Sequence, residues 1–371
     1  MMSPTVLIDE RSVVFDGHVI PGRWLRDHGD DPVSLNPETK QRLVDTFAIP
    51  RDVAPLAVRI DGGRLDIDWS DGAHTGHSIS TLKRLVTTRR APEVRPTAGF
   101  RIEGDLDLWS SAPGVSWFDL ACLDDDETWQ PAIEHLYRYG WVAFDGAELG
   151  EAASARLAAR IGYPRACIFG TLWNMNSGSF EHADSAYESG NLDVHTDGTY
   201  SHDAPGTIIF AQQLKTGEGG DSVLVDGFAA AHDFQVAEPE AADLLTRYSV
   251  RAHYIEPGVH LVAERPPLRV NEHGVLKQVS FNNYDRSPLL PAADVVDDVI
   301  EAYNAFRAVF SNPDRALYHE WAPGRMLVFD NWRCFHGRTG FTGERHFKGC
   351  YTNHEDLESA YRLAGLTPLV L

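Results

Sequence analysis

The sequence predicts a mainly β fold with helices, a double-sheet jelly roll preceded by a small region of short strands. Three observations predict it. Short apolar runs recur along the second half of the chain. Long insertions separate them, where a doubly wound sheet would have regular helices. No phosphate-binding glycine loop, nucleophile elbow or HExxH helix appears, and there is no internal repeat.

The elements follow in order. Residues 1–90 read as short strands between turn residues, a small N-terminal β-rich domain. Val13-Val14-Phe15 runs into Asp16-Gly17. Leu56 to Ile60 meets Asp61-Gly62-Gly63, and Arg64 to Trp69 alternates before Ser70-Asp71-Gly72, which predicts a hairpin. Thr87 to Pro113 is rich in Arg, Pro and Gly, and residues 91–113 are assigned as a linker. Residues 114–371 form the main domain. Glu127 to Tyr139 places Trp129, Ile133, Leu136 and Tyr137 at helical spacing and stops at Gly140. Trp141 to Phe144 reads as a buried strand and Glu151 to Ile161 as a helix ended by Gly162. Further strands are expected over Thr207–Leu214, Asp221–Phe228, Leu276–Phe281, Arg325–Phe329 and His346–Thr352. A helix over Val295–Phe310 interrupts them.

The formal charge of −21 over 371 residues argues against nucleic acid, whose phosphates need clustered Lys and Arg. Four cysteines, Cys122, Cys167, Cys334 and Cys350, form no CxxC pair and suggest reduced thiols in a cytoplasmic protein. No signal peptide and no membrane span is expected.

The chemistry centres on His195-Thr196-Asp197 and His336. Residues i and i+2 of an extended segment point the same way, so His195 and Asp197 can share one metal ion. If His336 folds back beside them, the set is the 2-His-1-carboxylate triad of non-haem Fe(II) oxygenases. An HxD pattern alone is weak in a chain with 16 histidines. Three features strengthen it. His336 follows the apolar run Met326 to Phe329. Arg345 lies nine residues beyond it, where a hairpin brings both to one pocket; a guanidinium suits the far carboxylate of 2-oxoglutarate. Gly219-Gly220-Asp221-Ser222 opens a strand whose Ser222 hydroxyl supports the same carboxylate. Taken singly, these residues read equally well as a turn histidine, a surface salt bridge and a plain turn. His253 and His260 are read as loop or core residues.

Specific segments span nearly the whole chain. They include Trp24-Leu25-Arg26-Asp27-His28 with Gln41-Arg42, Ala186-Tyr187, Thr199-Tyr200 and Asn282-Asn283-Tyr284-Asp285-Arg286. Asp330-Asn331-Trp332-Arg333, His336-Gly337-Arg338 and Gly349-Cys350-Tyr351 follow. With the triad they resemble the γ-butyrobetaine hydroxylase and trimethyllysine hydroxylase family of Fe(II)/2-oxoglutarate dioxygenases, in the taurine-dioxygenase-like clan. The resemblance implies a catalytic double-stranded β-helix, a homodimer, and hydroxylation coupled to decarboxylation of 2-oxoglutarate with O₂. The segments around Asp184, Thr199 and Asn282 stand closer to the trimethyllysine branch.

One departure is clear. Relatives often carry a cysteine-rich zinc loop after Trp-Leu-Arg-Asp, whereas this chain has His28-Gly29-Asp30-Asp31-Pro32. Even if His77 matches the zinc histidine, no structural zinc is expected. By resemblance, Phe169, Trp173 and Tyr187 form an aromatic cage for a trimethylammonium group, which binds through cation–π attraction. Each would otherwise read as ordinary core. Tyr200, Asn283 and Arg286 are candidates for an anionic head. Asp184 repels a bare carboxylate and attracts an α-ammonium, favouring a trimethyllysine-like substrate. 2-(Trimethylammonio)ethylphosphonate and γ-butyrobetaine are the alternatives. Asp197, in place of the small residue of halogenating relatives, favours hydroxylation. A zinc hydrolase using the same three ligands, and a binding module that has lost turnover, are the competing readings.

Overall fold

The computed structural model describes residues 5–87, 99–177 and 189–367. Six strands open the chain. β1 (Val6–Asp9), β2 (Ser12–Phe15) and β3 (His18–Pro21) form one antiparallel sheet. After helix α1 (Gly22–Asp27), strands β4 (Pro55–Asp61), β5 (Arg64–Trp69) and β6 (His74–Ser78) form a second, followed by helix α2 (Ile79–Thr87). The expected hairpin is β4–β5: Asp61 pairs with Arg64 across a two-residue turn. Gly62 and Gly63 take φ of +53° and +84°, the left-handed pair that such a turn requires and a side chain resists. Alternation along β5 buries Leu65, Ile67 and Trp69. Their core includes Trp24 and Leu25, but also Leu289, Val296 and Ile300 from far downstream.

Two larger sheets follow. One has the order β7-β8-β18-β11-β20-β9, from β7 (Trp117–Asp119), β8 (Trp141–Asp145), β9 (Trp173–Asn176), β11 (Thr207–Lys215), β18 (Met326–Asp330) and β20 (Arg345–Thr352). The other has the order β10-β19-β12-β17, from β10 (Leu192–His195), β12 (Ser222–Asp226), β17 (Leu317–His319) and β19 (Cys334–Arg338). Successive strands β9 to β12, and again β17 to β20, step from one sheet to the other. Pairing is antiparallel except between β7 and β8. The sheets share a core in which Ile208, Leu327, Phe329 and Phe347 meet Leu224, Leu317 and Cys334.

Helices cover the outer faces. α3 (Asp126–Tyr139), α4 (Ala152–Ile161) and α8 (His354–Leu363) pack on Val142, Phe144, Ile209 and Val328 of the larger sheet. α3 starts with the Asp125 carboxylate accepting from Thr128 N at 3.1 Å and ends at left-handed Gly140. α5 (Gly227–Ala237), α6 (Pro239–Arg247) and α7 (Val296–Phe310) enclose a second core with β15 (Leu268–Val270) and β16 (Leu276–Val279). β13 (Val250–Glu256) and β14 (Val259–Arg265) form a separate hairpin.

The strand expected over Asp221–Phe228 stops at Asp226, whose carboxylate accepts from Phe228 N and Ala229 N and starts α5. Phe228, Ala229, Ala230 and Ala231 are consecutive and all buried, so the start of α5 carries no apolar–polar alternation at helical spacing to announce a helix. Residues 99–113 lie against the main sheets: Trp109 is buried, its indole donates to Tyr139 O at 2.9 Å, and Arg333 donates to Asp107 O at 3.0 Å. All four cysteines are unpaired thiols. Among the described residues no helix is long and apolar enough to cross a membrane.

A buried ion pair ties the N-terminal segment to the main sheets. Arg286 Nη2 lies 2.8 Å from Asp27 Oδ2, with both side chains fully buried. Thr46 Oγ1 donates to Asp27 Oδ1 at 2.7 Å. His28 stacks on Trp24, pairs its Nδ1 with Trp24 O and accepts from Leu289 N. Burial alone would push the Asp27 carboxyl up, but the Arg286 and Arg42 guanidiniums hold it well below the usual range. A depressed folded-state pKa contributes stability above the unfolded carboxylate pKa of about 4, and that contribution is lost as the pH falls. Asp27→Asn strands a buried guanidinium and is expected to cost roughly 3–5 kcal/mol at pH 7. Urea melts at pH 7 and pH 3 check this. The wild-type advantage should shrink at the lower pH; an equal difference at both would refute the charge argument.

Candidate metal centre

β10 and β19 run antiparallel with His195 directly opposite His336, and the two imidazoles lie 4.4 Å apart. Asp197 is not on the strand. β10 ends at His195, and Asp197 opens the turn that follows. Its position is fixed from below. Asn331, fully buried, accepts from Asp197 N at 2.8 Å and donates to Asp197 O at 3.0 Å and to Pro205 O at 2.9 Å. Thr196, between the ligands, pairs through its N–H with Phe281 O and through its hydroxyl with Phe281 N.

The three side chains offer ligand atoms within 4.8 Å of one another. Asp197 Oδ1 lies 3.4 Å from His195 Nε2 and 3.5 Å from His336 Nε2. His195 Nδ1 donates to Asp193 O at 2.7 Å, which leaves the Nε2 lone pair facing the carboxylate. His336 Nδ1 is buried without a hydrogen-bond partner, so packing against His195 and Phe329 orients that ring. Burial opposes a charged Asp197, yet positive charge on His336 and His195 would outweigh it and hold the carboxyl well below its ordinary value, so the site calls for a cation beside that carboxylate. Two neutral imidazoles and one carboxylate on one side of a cavity fit a divalent first-row metal such as Fe(II).

One cavity joins this cluster to most of the other predicted residues. Phe169, Trp173, Tyr200, Ser222 and Arg345 line it beside His195, Asp197 and His336. The Arg345 guanidinium is buried, with Nε unpartnered and Cζ 4.1 Å from the Phe347 ring centre. Burial and the nearby Arg338 draw its pKa down to about 9, which still leaves a cation at neutral pH. Ser222 Oγ accepts from Trp321 Nε1 at 3.0 Å, so its own proton is free to donate. Trp173 packs 5.5 Å from Tyr351, and Tyr200 lies 5.1 Å from Tyr254.

Two predicted residues are not brought to this cavity. Arg286 is spent on Asp27, and Asn283 Oδ1 accepts from Arg286 Nε at 3.2 Å beside a separate cavity on the N-terminal seam. In their place Asn282, Tyr284 and Asp285 of the same segment line the main cavity. Asp184 and Tyr187 lie outside the described residues. His253 bonds Ser287 and Lys40 O on the β13–β14 hairpin, and His77 bonds Thr75; neither faces the cavity.

Arg338 and Tyr351 also line the cavity and carry no assignment from the sequence. Strand alternation held the signal. Arg338 is two residues after His336 on β19, and Tyr351 is six after Arg345 on β20, even spacings that place each pair on one face. Tyr351 Oη donates to Asp197 Oδ2 at 2.9 Å.

Residues 98–351 match the family described as Taurine catabolism dioxygenase TauD, TfdA family. The chain is 30% identical over 384 residues to a trimethyllysine dioxygenase of Meyerozyma guilliermondii, covering 96% of this chain and 94% of that one. It is 31% identical to the mitochondrial trimethyllysine dioxygenase of Gallus gallus, covering 92% and 82%. A γ-butyrobetaine dioxygenase of Pseudomonas sp. (strain AK-1) is 28% identical, covering 93% and 90%.

Close packing on β20 gives a test of the cavity wall. A Cβ at Gly349 would collide with the Trp173 ring and with Ile209 O. Gly349→Ala is therefore expected to displace the indole and to cost about 1–3 kcal/mol through overpacking. Thermal unfolding and the tryptophan emission spectrum check it, and wild-type values in both would show that the ring has room to spare.

Proposed function

The chain belongs to the TauD/TfdA dioxygenase family, and from that premise we propose that it is an Fe(II)- and 2-oxoglutarate-dependent hydroxylase of a small trimethylammonium compound. The observation that carries this reading is the single cavity joining the His195–Asp197–His336 cluster, the Arg345 guanidinium and an aromatic wall.

Each residue type has one task. His195, Asp197 and His336 hold the metal. Bound there, Fe(II) supplies the redox chemistry that couples oxidative decarboxylation of 2-oxoglutarate to oxygen insertion into a C–H bond. Arg345 anchors the far carboxylate of 2-oxoglutarate, and Ser222 adds a donor. Phe169 and Trp173, with Tyr187 by resemblance, hold the quaternary ammonium, which offers no hydrogen bond. Tyr200 closes the same wall. With both ends of the substrate fixed, position decides which hydrogen is removed. Asp197 fills the third ligand position, which supports hydroxylation.

For the substrate's other end, a trimethyllysine-like molecule remains the favoured choice. Asp184 is the residue behind it, and the 30% and 31% identity to trimethyllysine dioxygenases supports it. Asp285, buried and lining the cavity, adds a carboxylate suited to an α-ammonium group. 2-(Trimethylammonio)ethylphosphonate and γ-butyrobetaine are the alternatives. We further propose that the two packed sheets form the family's double-stranded β-helix, with residues 1–90 as a small N-terminal domain and 91–113 as the linker. The protein acts as a cytoplasmic homodimer.

A panel of the three compounds, scored by Fe(II)-dependent succinate formation, tests the proposal. Trimethyllysine should turn over fastest. Arg345→Met should raise the KM for 2-oxoglutarate on the order of 100-fold, the loss expected when a buried charged hydrogen bond is removed. Succinate formation that is indifferent to Fe(II), or turnover unchanged in Asp197→Ala, would sink the assignment.

A further inference from the structure

The Asp197 carboxylate is divided between two sets of neighbours. Oδ1 faces the Nε2 atoms of His195 and His336, at 3.4 and 3.5 Å. Oδ2 accepts from the Tyr351 hydroxyl at 2.9 Å. We propose that Tyr351 is a positioning residue: its hydroxyl holds Asp197 as a one-oxygen metal ligand while its ring lines the substrate cavity. The inference rests on the metal reading of the triad and not on the identity of the substrate.

The geometry favours this role in three ways. First, Tyr351 is anchored. It sits on β20, where it pairs with Ile208 of β11 and its carbonyl accepts from Arg165 N at 2.7 Å, and only 9% of the residue is exposed. Asp197 lies on a turn, where nothing in the strand ladder restrains its side chain. Asn331 fixes the Asp197 backbone but leaves the carboxylate free to rotate. The phenol therefore supplies a restraint that selects which oxygen faces the histidines. Second, a carboxylate that swings to offer both oxygens would occupy a metal position that a bidentate co-substrate and O₂ need. Occupying Oδ2 with a fixed donor opposes that swing. Third, the ring stands 5.5 Å from Trp173 at an angle of 54°, on the wall assigned to the cation. One side chain thus serves the substrate with its ring and the metal with its hydroxyl.

The two duties are separable by mutation. Tyr351→Phe keeps the ring and removes the hydroxyl. Tyr351→Leu removes both. Co(II), added to metal-free protein and followed by calorimetry and visible absorption, reads the metal site without any turnover. The full-length Tyr351→Phe variant should bind Co(II) 10- to 100-fold more weakly, the usual cost of losing a partner of a metal ligand, and with altered absorption bands. Its KM for the trimethylammonium substrate should stay within about twofold of wild type, since the cation–π surface is retained. Tyr351→Leu should raise both quantities. Wild-type Co(II) affinity and an unchanged spectrum in folded Tyr351→Phe would overturn the proposal. So would a rise in KM without a change in metal binding. Asp197→Ala is the control on the premise: Co(II) binding that survives that change would overturn the metal reading and the positioning role with it.

Discussion

The buried pair between Asp27 and Arg286 is the constraint on which the cavity depends. Arg286 ends the segment Phe281–Arg286, and that segment is held from both sides. The backbone of Phe281 pairs with Thr196, between two metal ligands. Arg286 at the other end is drawn to Asp27 and Thr46 in the N-terminal segment. Between these ties the side chains divide. Asn283 and Arg286 face the N-terminal seam, while Asn282, Tyr284 and Asp285 line the cavity. Asn282 Nδ2 donates to Asp285 at 2.8 Å, and Thr199 Oγ1 lies 3.3 Å from the same carboxylate, so this wall is also braced internally. Nothing in the N-terminal sheets contributes a ligand to the metal cluster. Their contribution is indirect: a charge pair removed from water has few low-energy alternatives, and it sets where the wall stands.

How legible this was in the sequence depended on whether the determining interaction was local. The β4–β5 hairpin is visible because its turn needs two consecutive left-handed residues and the chain writes Gly62-Gly63 there. α3 and α7 are visible because each exposes one polar face. α5 is hidden because its first turns are wholly buried and its exposed end carries the apolar Val236 and Ala237, so apolar spacing shows no helical period. The cluster of His195, Asp197 and His336 is readable as a set, but strand geometry accounts for only part of it. His195 does sit on a strand, but Asp197 sits past its end, and Asn331 and Tyr351, both more than 130 residues away, place it. Arg286 shows the limit plainly. A guanidinium near a cavity suits a substrate anion or a protein carboxylate equally well, and its actual partner lies 259 residues upstream.

The cavity combines two kinds of lining, cationic and aromatic. At one end Arg338 and Arg345 stand close enough for each to be felt by the other, with Asp221 as the opposing charge. Burial of the Arg345 cation draws its pKa down to about 9, and repulsion from the neighbouring Arg338 adds to the cost. A dianionic co-substrate relieves both penalties at once. Elsewhere Phe169, Trp173, Tyr200 and Tyr351 present π faces. A quaternary ammonium gains about 2 kcal/mol or more from such faces when desolvated, and it would lose by approaching the arginines. On the proposed reading, this charge pattern sends the two small molecules to different parts of the cavity before any shape complementarity is considered.

β20 imposes the spacing between those ends. Alternation places Arg345, Phe347, Gly349 and Tyr351 on one face of a single strand. At roughly 3.4 Å per residue, the six steps from Arg345 to Tyr351 span about 20 Å, and the backbone hydrogen bonds to β11 and β9 allow little stretch. Each position on that face has a separate consequence. Arg345 brings a buried cation to the cavity, and Phe347 packs against its guanidinium at 4.1 Å. Gly349 makes room for the Trp173 ring. Tyr351 reaches the carboxylate of Asp197. A slip of one residue in the β11–β20 register would turn all four away together. The relation between the Arg345 guanidinium, the aromatic wall and the Asp197 carboxylate is therefore a property of strand register, held by the ladder of the larger sheet.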